Sequence, residues 1–305
     1  MSDTRSPGSG SIPQGRLIQT YSAHGYEVLS LAIGPGNERF VSSGGDRSVF
    51  LWDVAAAVTI RRFGGNVHGH TARVNCVTIA GEGGSLVISG GFDTTVRIWD
   101  AKSGSFKPVQ VLQDARDSIT SVVATDSEIV TGSVDGRVRS YDLRMGRCIT
   151  DVIGASVTSL SLTKDGRAML VGSLDSKIRL MDRDTGGCLR AYSDPSWHNK
   201  DIRMQSLLGG SERYVVAGDE MVGEIDSAGD GMIWAWDLLS GAVVNKIKVP
   251  WGPRGYETKK MIGKDGKEKA RSNIISCIDW RAGGWGDQYC VGGTSGVVTV
   301  FGSSY

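Results

Sequence analysis

One unit recurs along this chain and restricts what it can become. The stretch LVISGGFDTTVRIWD (Leu86–Asp100) reads as two short strands joined by a tight turn. Leu86, Val87 and Ile88 give the first strand its apolar residues. Asp93, Thr94 and Thr95 make the turn, where a carboxylate can accept hydrogen bonds from nearby backbone N–H groups. Val96 and Ile98 then alternate with Arg97 and Trp99, the period-2 pattern of a strand with one buried face. An Asp stands six residues before a strand-ending residue at Asp46/Trp52, Asp93/Trp99, Asp135/Tyr141, Asp175/Met181 and Asp230/Trp236. A degenerate sixth copy has Ser295 and Phe301. The strand-ending positions step by 47, 42, 40, 55 and 65 residues. The first three steps match one four-stranded antiparallel blade.

Six blade-sized units account for most of the 305 residues, so the chain reads as one all-β domain rather than two. Forty-three glycines suit a fold made of many tight turns. The net charge of +1 supplies no global field for nucleic acid. No apolar run approaches 18 residues and no secretory leader pattern occurs, so no membrane partner is expected. Cys76, Cys148, Cys188, Cys277 and Cys290 form no CxxC pair and read as free, buried thiols of a reducing compartment. No constellation points to a metal or a cofactor.

The GH element of HGHTARV, the Asp turn and the closing WD resemble the WD-repeat β-propeller family from about Arg16 to Phe301. Within it, TYSAHGYEVL, VFLWDVA and GSVDGRVRSYDLRMG are similar to the mitogen-activated protein kinase organizer group, scaffolds also associated with the spliceosome. That resemblance implies a non-enzymatic interaction scaffold in the cytoplasm and nucleus. It would be a monomer within larger complexes, working in kinase signalling, pre-mRNA splicing or both. Such scaffolds usually carry seven repeats, and six are visible here. A six-bladed ring is favoured, because closure removes exposed strand edges. The alternative is a seven-bladed fold lacking its first blade.

Read in order, residues 1–15 form a polar Ser/Gly/Pro tail expected to be disordered. Residues 16–305 form the propeller, with insertions at 219–231 and 250–273. RLIQTY (Arg16–Tyr21) reads as a strand, and in WD propellers such a strand can complete the last blade. His24, Ser42, Asp46 and Trp52 in the first repeat recur as His70, Ser89, Asp93 and Trp99 in the second. Ser, His and Asp could form a hydrolytic triad. An active site has no reason to be duplicated blade by blade, whereas a structural tie does, and the resemblance implies such a tie. The third repeat keeps Thr131 and Asp135, and the fourth keeps Asp175. Those two blades are expected to rely on packed Val, Ile and Leu.

Other stretches carry weaker signals. The acidic insertion holds Asp219, Glu220, Glu224, Asp226 and Asp230. It lacks the spacing of a calcium loop and reads as a solvated acidic loop. Residues 250–273 hold seven Lys or Arg against three acids, with Trp251 and Tyr256 interleaved. They read as a flexible charged loop or as a basic arm for an acidic partner or RNA. Residues preceding the turn Asp face the top of WD propellers: Gly45, Phe92, Val134, Leu174 and Gly229. Phe92, Val134 and Leu174 would then form an apolar partner-binding patch, rimmed by Tyr26, Arg73 and Arg116. The alternative is that they fill the channel funnel. YDLR (Tyr141–Arg144) resembles the element by which some propellers dock on cullin-ring ligase adaptors, which makes Arg144 an adaptor-docking candidate.

Overall fold

The computed structural model describes residues 17–65, 67–221, 229–252, 261–262, 268–269, 272–281 and 288–302. Antiparallel sheets follow one another round a ring, each built by local hairpins. Blade one is β1 (Val28–Ile33), β2 (Arg39–Gly44), β3 (Val49–Asp53) and β4 (Thr59–Phe63). Blade two is β5 (Val74–Ala80), β6 (Leu86–Gly91), β7 (Val96–Asp100) and β8 (Gln110–Leu112). Blade three is β9 (Ile119–Ala124), β10 (Glu128–Ser133), β11 (Arg137–Asp142) and β12 (Cys148–Val152). Blade four is β13 (Val157–Leu162), β14 (Ala168–Ser173), β15 (Lys177–Asp182) and β16 (Cys188–Tyr192). Blade five is β17 (Ser206–Gly209), β18 (Tyr214–Gly218), β19 (Gly231–Asp237) and β20 (Val243–Val249). The short pair β21 (Met261–Ile262) and β22 (Glu268–Lys269) precedes blade six, which is β23 (Ile275–Arg281), β24 (Gln288–Gly293) and β25 (Val298–Gly302).

The first strand of each blade lies innermost, beside the first strand of the next, from β1 through β5, β9, β13 and β17 to β23. The core lies between blades. Val41, Val49, Leu51 and Phe63 of blade one pack on Val74, Val77, Val87 and Trp99 of blade two. Cys76, Ile88, Val96 and Ile98 on its other face pack on Ile119, Val122, Ile129 and Tyr141 of blade three. Alternation along each strand explains why blades two to five are apolar on both faces: each of those sheets is sandwiched, so odd and even positions both meet a neighbour.

The turn between the second and third strands repeats with the same chemistry. Asp46 and Asp93 accept from the backbone N–H groups of Ser48 and Thr95, two residues on. The residue after the Asp is left-handed in five blades: Arg47 (φ 63°), Thr94 (65°), Gly136 (74°), Ser176 (55°) and, after Ser295, Gly296 (75°). The glycine before the turn is there for space. A Cβ on Gly91 would stand 2.6 Å from His70 Nδ1, and one on Gly44 would stand 2.4 Å from the Glu27 carbonyl oxygen.

Two expectations change here. Residues 17–21 form no strand, and β25 has no fourth strand beside it among the described residues. Instead Tyr21 turns onto blade one, edge-on to Phe40 and Trp52, with its hydroxyl donating to the Val54 carbonyl at 2.7 Å. This segment pairs with no strand among the described residues. The cysteines are free, yet Cys148, Cys188 and Cys277 are exposed. Cys148 and Cys188 begin outermost strands, whose outer sides meet solvent, and Cys277 lies on an uncovered face of blade six. The tail (1–15) lies outside the described residues, as does most of the basic segment 250–273.

Candidate functional site

Two ends of the ring differ in what they display. Strand order places the turns between second and third strands, and the loops entering each blade, at one end, here called the top. The turns between third and fourth strands lie at the other.

At the top, the ties between loop and turn follow a simple chemistry. In blade one, His24 Nδ1 lies 2.9 Å from Asp46 Oδ2 and its Nε2 lies 2.7 Å from Ser42 Oγ. Trp52 Nε1 donates to the same Oγ at 2.8 Å. Blade two repeats this with His70, Asp93, Ser89 and Trp99 at 2.9, 2.8 and 2.9 Å. A single serine hydroxyl accepts from the indole and can donate to the imidazole. Asp93 also receives the backbone N–H of Thr71 at 2.9 Å and the Thr95 hydroxyl at 2.8 Å. Burial alone would raise its pKa. The bonds from His70, Thr71 and Thr95 outweigh that and hold the carboxyl far below the usual carboxylate range.

Blades three and four, expected to rely more on apolar packing, also keep a polar tie. Arg139 forms a two-pronged pair with Asp135, Nη2 to Oδ2 at 2.7 Å and Nη1 to Oδ1 at 3.3 Å. Arg179 pairs with Asp175 in the same way and also donates to Ser173 at 2.7 Å. Burial opposes ionisation of Asp135 and Asp175, and these arginines, with further hydrogen bonds, lower both carboxyls overall. Arg four residues after the turn Asp was the sequence signal: Arg97, Arg139 and Arg179 all occupy it. Thr131 donates only to the Arg139 carbonyl, at 3.4 Å.

Blade five corrects the reading of a solvated acidic loop. Glu220 ties the entering loop: Oε1 accepts from the backbone N–H groups of Lys200, Asp201 and Ile202 at 2.8, 2.7 and 2.7 Å. Asp219 accepts from Trp234 Nε1 at 2.8 Å, and burial pushes its carboxyl upward. Both side chains are buried, so this end of the acidic insertion is not solvated. A carboxylate earlier in the loop can reach the same N–H groups once the turn is lengthened, a substitution that spacing does not reveal. Asp230 accepts from the Trp251 N–H at 3.2 Å, and residues 222–228 lie outside the described ones.

The residues before the turn share one backbone bond. The N–H groups of Gly45, Phe92, Val134 and Leu174 donate to the carbonyls of Glu27, Arg73, Ser118 and Ser156 at 2.9 to 3.0 Å. The Glu220 N–H donates likewise to His198 at 3.2 Å, so Glu220 takes the place read for Gly229. Phe92 is 50% exposed and Val134 36%, while Leu174 is half-buried. The Arg73 guanidinium lies over the Phe92 ring at 4.6 Å from its centroid. Arg116, whose N–H donates to Asp135 at 3.0 Å, and Tyr26 are exposed at the same end. Arg144 is exposed at the opposite end, in a turn whose N–H groups are held by Asp142.

A family model described as WD domain, G-beta repeat matches residues 15–53, 61–100, 106–142 and 146–182, half of the chain. The chain belongs to the WD-repeat family. Among its relatives, a WD repeat domain-containing protein 83 homolog of Dictyostelium discoideum is 28% identical over 265 residues, 78% of this chain and 77% of the relative. WD repeat domain-containing protein 83 of Rattus norvegicus is 41% identical over 143 residues, 47% of this chain and 42% of the relative. The human protein of that name is 41% identical over 146 residues, 48% and 43% of the two chains. The stronger identities thus span less than half of those relatives. Among the described residues no group of three His, Cys, Asp or Glu side chains could hold a metal, and no helix could cross a membrane.

Proposed function

We propose that this WD-repeat protein is a non-enzymatic scaffold that binds a protein partner on its top end. The observation that carries this is Phe92, a half-exposed aromatic ring with an Arg73 guanidinium stacked on it. An aromatic and an arginine held rigidly together on a ring of short turns are the residue types that dominate protein interfaces. Val134 and Leu174 extend the apolar surface over the next two blades, and Arg116 and Tyr26 border it.

The duplicated His, Ser and Asp sets support this by elimination: each is engaged in tying its own loop to its own turn. The setting we infer is the assembly of kinase-cascade or splicing complexes, in cytoplasm and nucleus. It rests on the motif resemblance and on relatives carrying the name WD repeat domain-containing protein 83. A second reading, docking of a ubiquitin-ligase adaptor, rests on exposed Arg144 at the other end.

The test is a tagged capture from nuclear and cytoplasmic extracts, with Phe92→Glu and Arg144→Ala beside the wild type. Loss of kinases or splicing proteins with Phe92→Glu alone supports the top-end scaffold. Loss of a ligase adaptor with Arg144→Ala alone supports the second reading. Retention of the full set by Phe92→Glu overturns the top-end assignment.

A further inference from the structure

One side chain reaches across the channel at the middle of the ring. Arg203 comes just before β17, and its neighbours fix where it starts. Glu220 Oε1 accepts the N–H of Ile202 at 2.7 Å, Met204 is 2% exposed, and the Gln205 N–H donates to the Ser276 carbonyl at 3.0 Å. From there the guanidinium donates through Nη1 to the Asn75 carbonyl at 2.8 Å and through Nε to the Thr158 carbonyl at 3.4 Å. Asn75 and Thr158 are each the second residue of an innermost strand, β5 and β13, so the group stands just below the top mouth.

Charge sets this arginine apart from those held within the blades. Arg97, Arg139, Arg179 and Arg183 each have a carboxylate within 4 Å. Arg203 has none among the described residues, and both of its acceptors are neutral carbonyls. Of the five N–H donors of a guanidinium it uses two, which leaves both on Nη2 for another acceptor. The side chain is exposed to the channel. The protein around it still removes enough water to lower its pKa, and the other group acting on it is the Cys76 thiol. That thiol, pushed up to about 11, is neutral at physiological pH and balances no charge. A cation short of both water and a counter-charge gains when an anion pairs with it.

We infer that the partner on the top end presents an aspartate or glutamate side chain, which enters the channel mouth and pairs with Arg203. This rests on the top-end reading and names the partner's chemistry. A carboxylate matches the planar fork of a guanidinium with two parallel hydrogen bonds. Exposed Arg73 and Arg116 stand at the same end with no carboxylate within 4 Å among the described residues, and they favour an acidic segment further. Glu27 and Asp117 are exposed there too, and neither pairs with Arg203. A nucleic-acid backbone is a poorer fit: it is too wide for an opening that one arginine spans, whereas a carboxylate hangs from a slender stem.

The test is selection of a random linear peptide library on the whole chain, followed by affinity measurements on the binders. Binders should carry an Asp or Glu whose exchange for its amide weakens binding to the wild type about tenfold or more. That exchange alters the peptide and leaves the protein's fold untouched. Against Arg203→Gln, measured below its melting temperature, the same exchange should leave affinity unchanged. Phe92→Glu should lose the binders altogether. Binders lost with Phe92→Glu but indifferent to the amide exchange overturn this pairing and leave the top-end reading standing. Acidic binders that depend on Arg203 yet survive Phe92→Glu overturn both, since the acid then enters by the other mouth. A library that yields no binder also overturns both. An oligouridylate held by the wild type and released by Arg203→Gln overturns the pairing, because the guanidinium then serves a phosphate.

Discussion

Arg203 Nη1 donates to the Asn75 carbonyl at 2.8 Å, although the two residues lie 128 positions apart. Its Nε reaches the Thr158 carbonyl at 3.4 Å. One guanidinium, entering ahead of blade five, thus braces the innermost strands of blades two and four across the ring. The guanidinium spreads its donors over separate nitrogens, so Nε and Nη1 reach two carbonyls that the single nitrogen of a lysine would have to serve from one point.

Arg203→Lys and Arg203→Met should therefore each lower stability by about 1–3 kcal/mol, the range for losing hydrogen bonds from a charged donor. Hydrogen exchange should rise first in β5 and β13. A uniform rise over all blades, or no change in melting, would remove the brace from the account.

Acid sensitivity follows from the turn carboxyls. Asp93, Asp135 and Asp175 are all held below their ordinary values. A depressed carboxyl contributes its full stability above the unfolded value, about 3.9, and loses it as pH falls toward the folded value. The protein should hold a flat stability plateau from neutrality to about pH 5 and weaken steeply below about pH 4. Asp93→Asn should lower the plateau and flatten the acid limb. Urea melts at stepped pH would show this, and an unchanged acid limb in Asp93→Asn would refute it.

How much of this was legible depended on whether the signal was periodic. The Asp turns, the WD endings and the strand alternation repeat at blade spacing, so the ring could be read from residues alone. Arg139 and Arg179 are equally legible, standing four residues after their Asp in blades that lack the His of blades one and two. Glu220 could not be read: an insertion broke the spacing and moved the carboxylate forward. Leu31 and Val300 are ordinary strand residues in the sequence, and only their neighbours among the described residues decide that they are exposed.

Cysteine reactivity should divide the five thiols. Burial, partly offset by Arg203, pushes Cys76 up to about 11, and the side chain is enclosed. Cys148, Cys188 and Cys277 are exposed. A thiol reagent at pH 8 should modify those three rapidly and Cys76 only on unfolding, because the thiolate is the reactive form. Peptide mapping after graded labelling measures this. Early modification of Cys76 would contradict the packing between blades two and three.

Blade five offers the sharpest test of the serine tie. Trp236 stands opposite Val215 as Trp99 stands opposite Val87, which puts Ala217 where Ser89 would be. The Trp236 ring is fully buried, and its Nε1 has no hydrogen-bond partner among the described residues. Elsewhere the two positions change together: Ser with Trp in blades one and two, Val171 with Met181 in blade four, Val291 with Phe301 in blade six. Blade five alone keeps the indole and lacks the hydroxyl. Ala217→Ser should supply the missing acceptor and raise stability by about 1 kcal/mol, a gain of about 2 °C in melting temperature. Ser89→Ala should do the reverse at greater cost. It strands both Trp99 Nε1 and His70 Nε2 in a buried site, each unpaired group costing about 1–3 kcal/mol. If Ala217→Ser melts at or below the wild type while Ser89→Ala falls as stated, Trp236 has been accommodated by stacking on Trp234 at 5.8 Å and by its edge-on contact with Trp197 at 5.2 Å. The bond from indole to serine would then be confined to blades whose entering loop also brings a histidine.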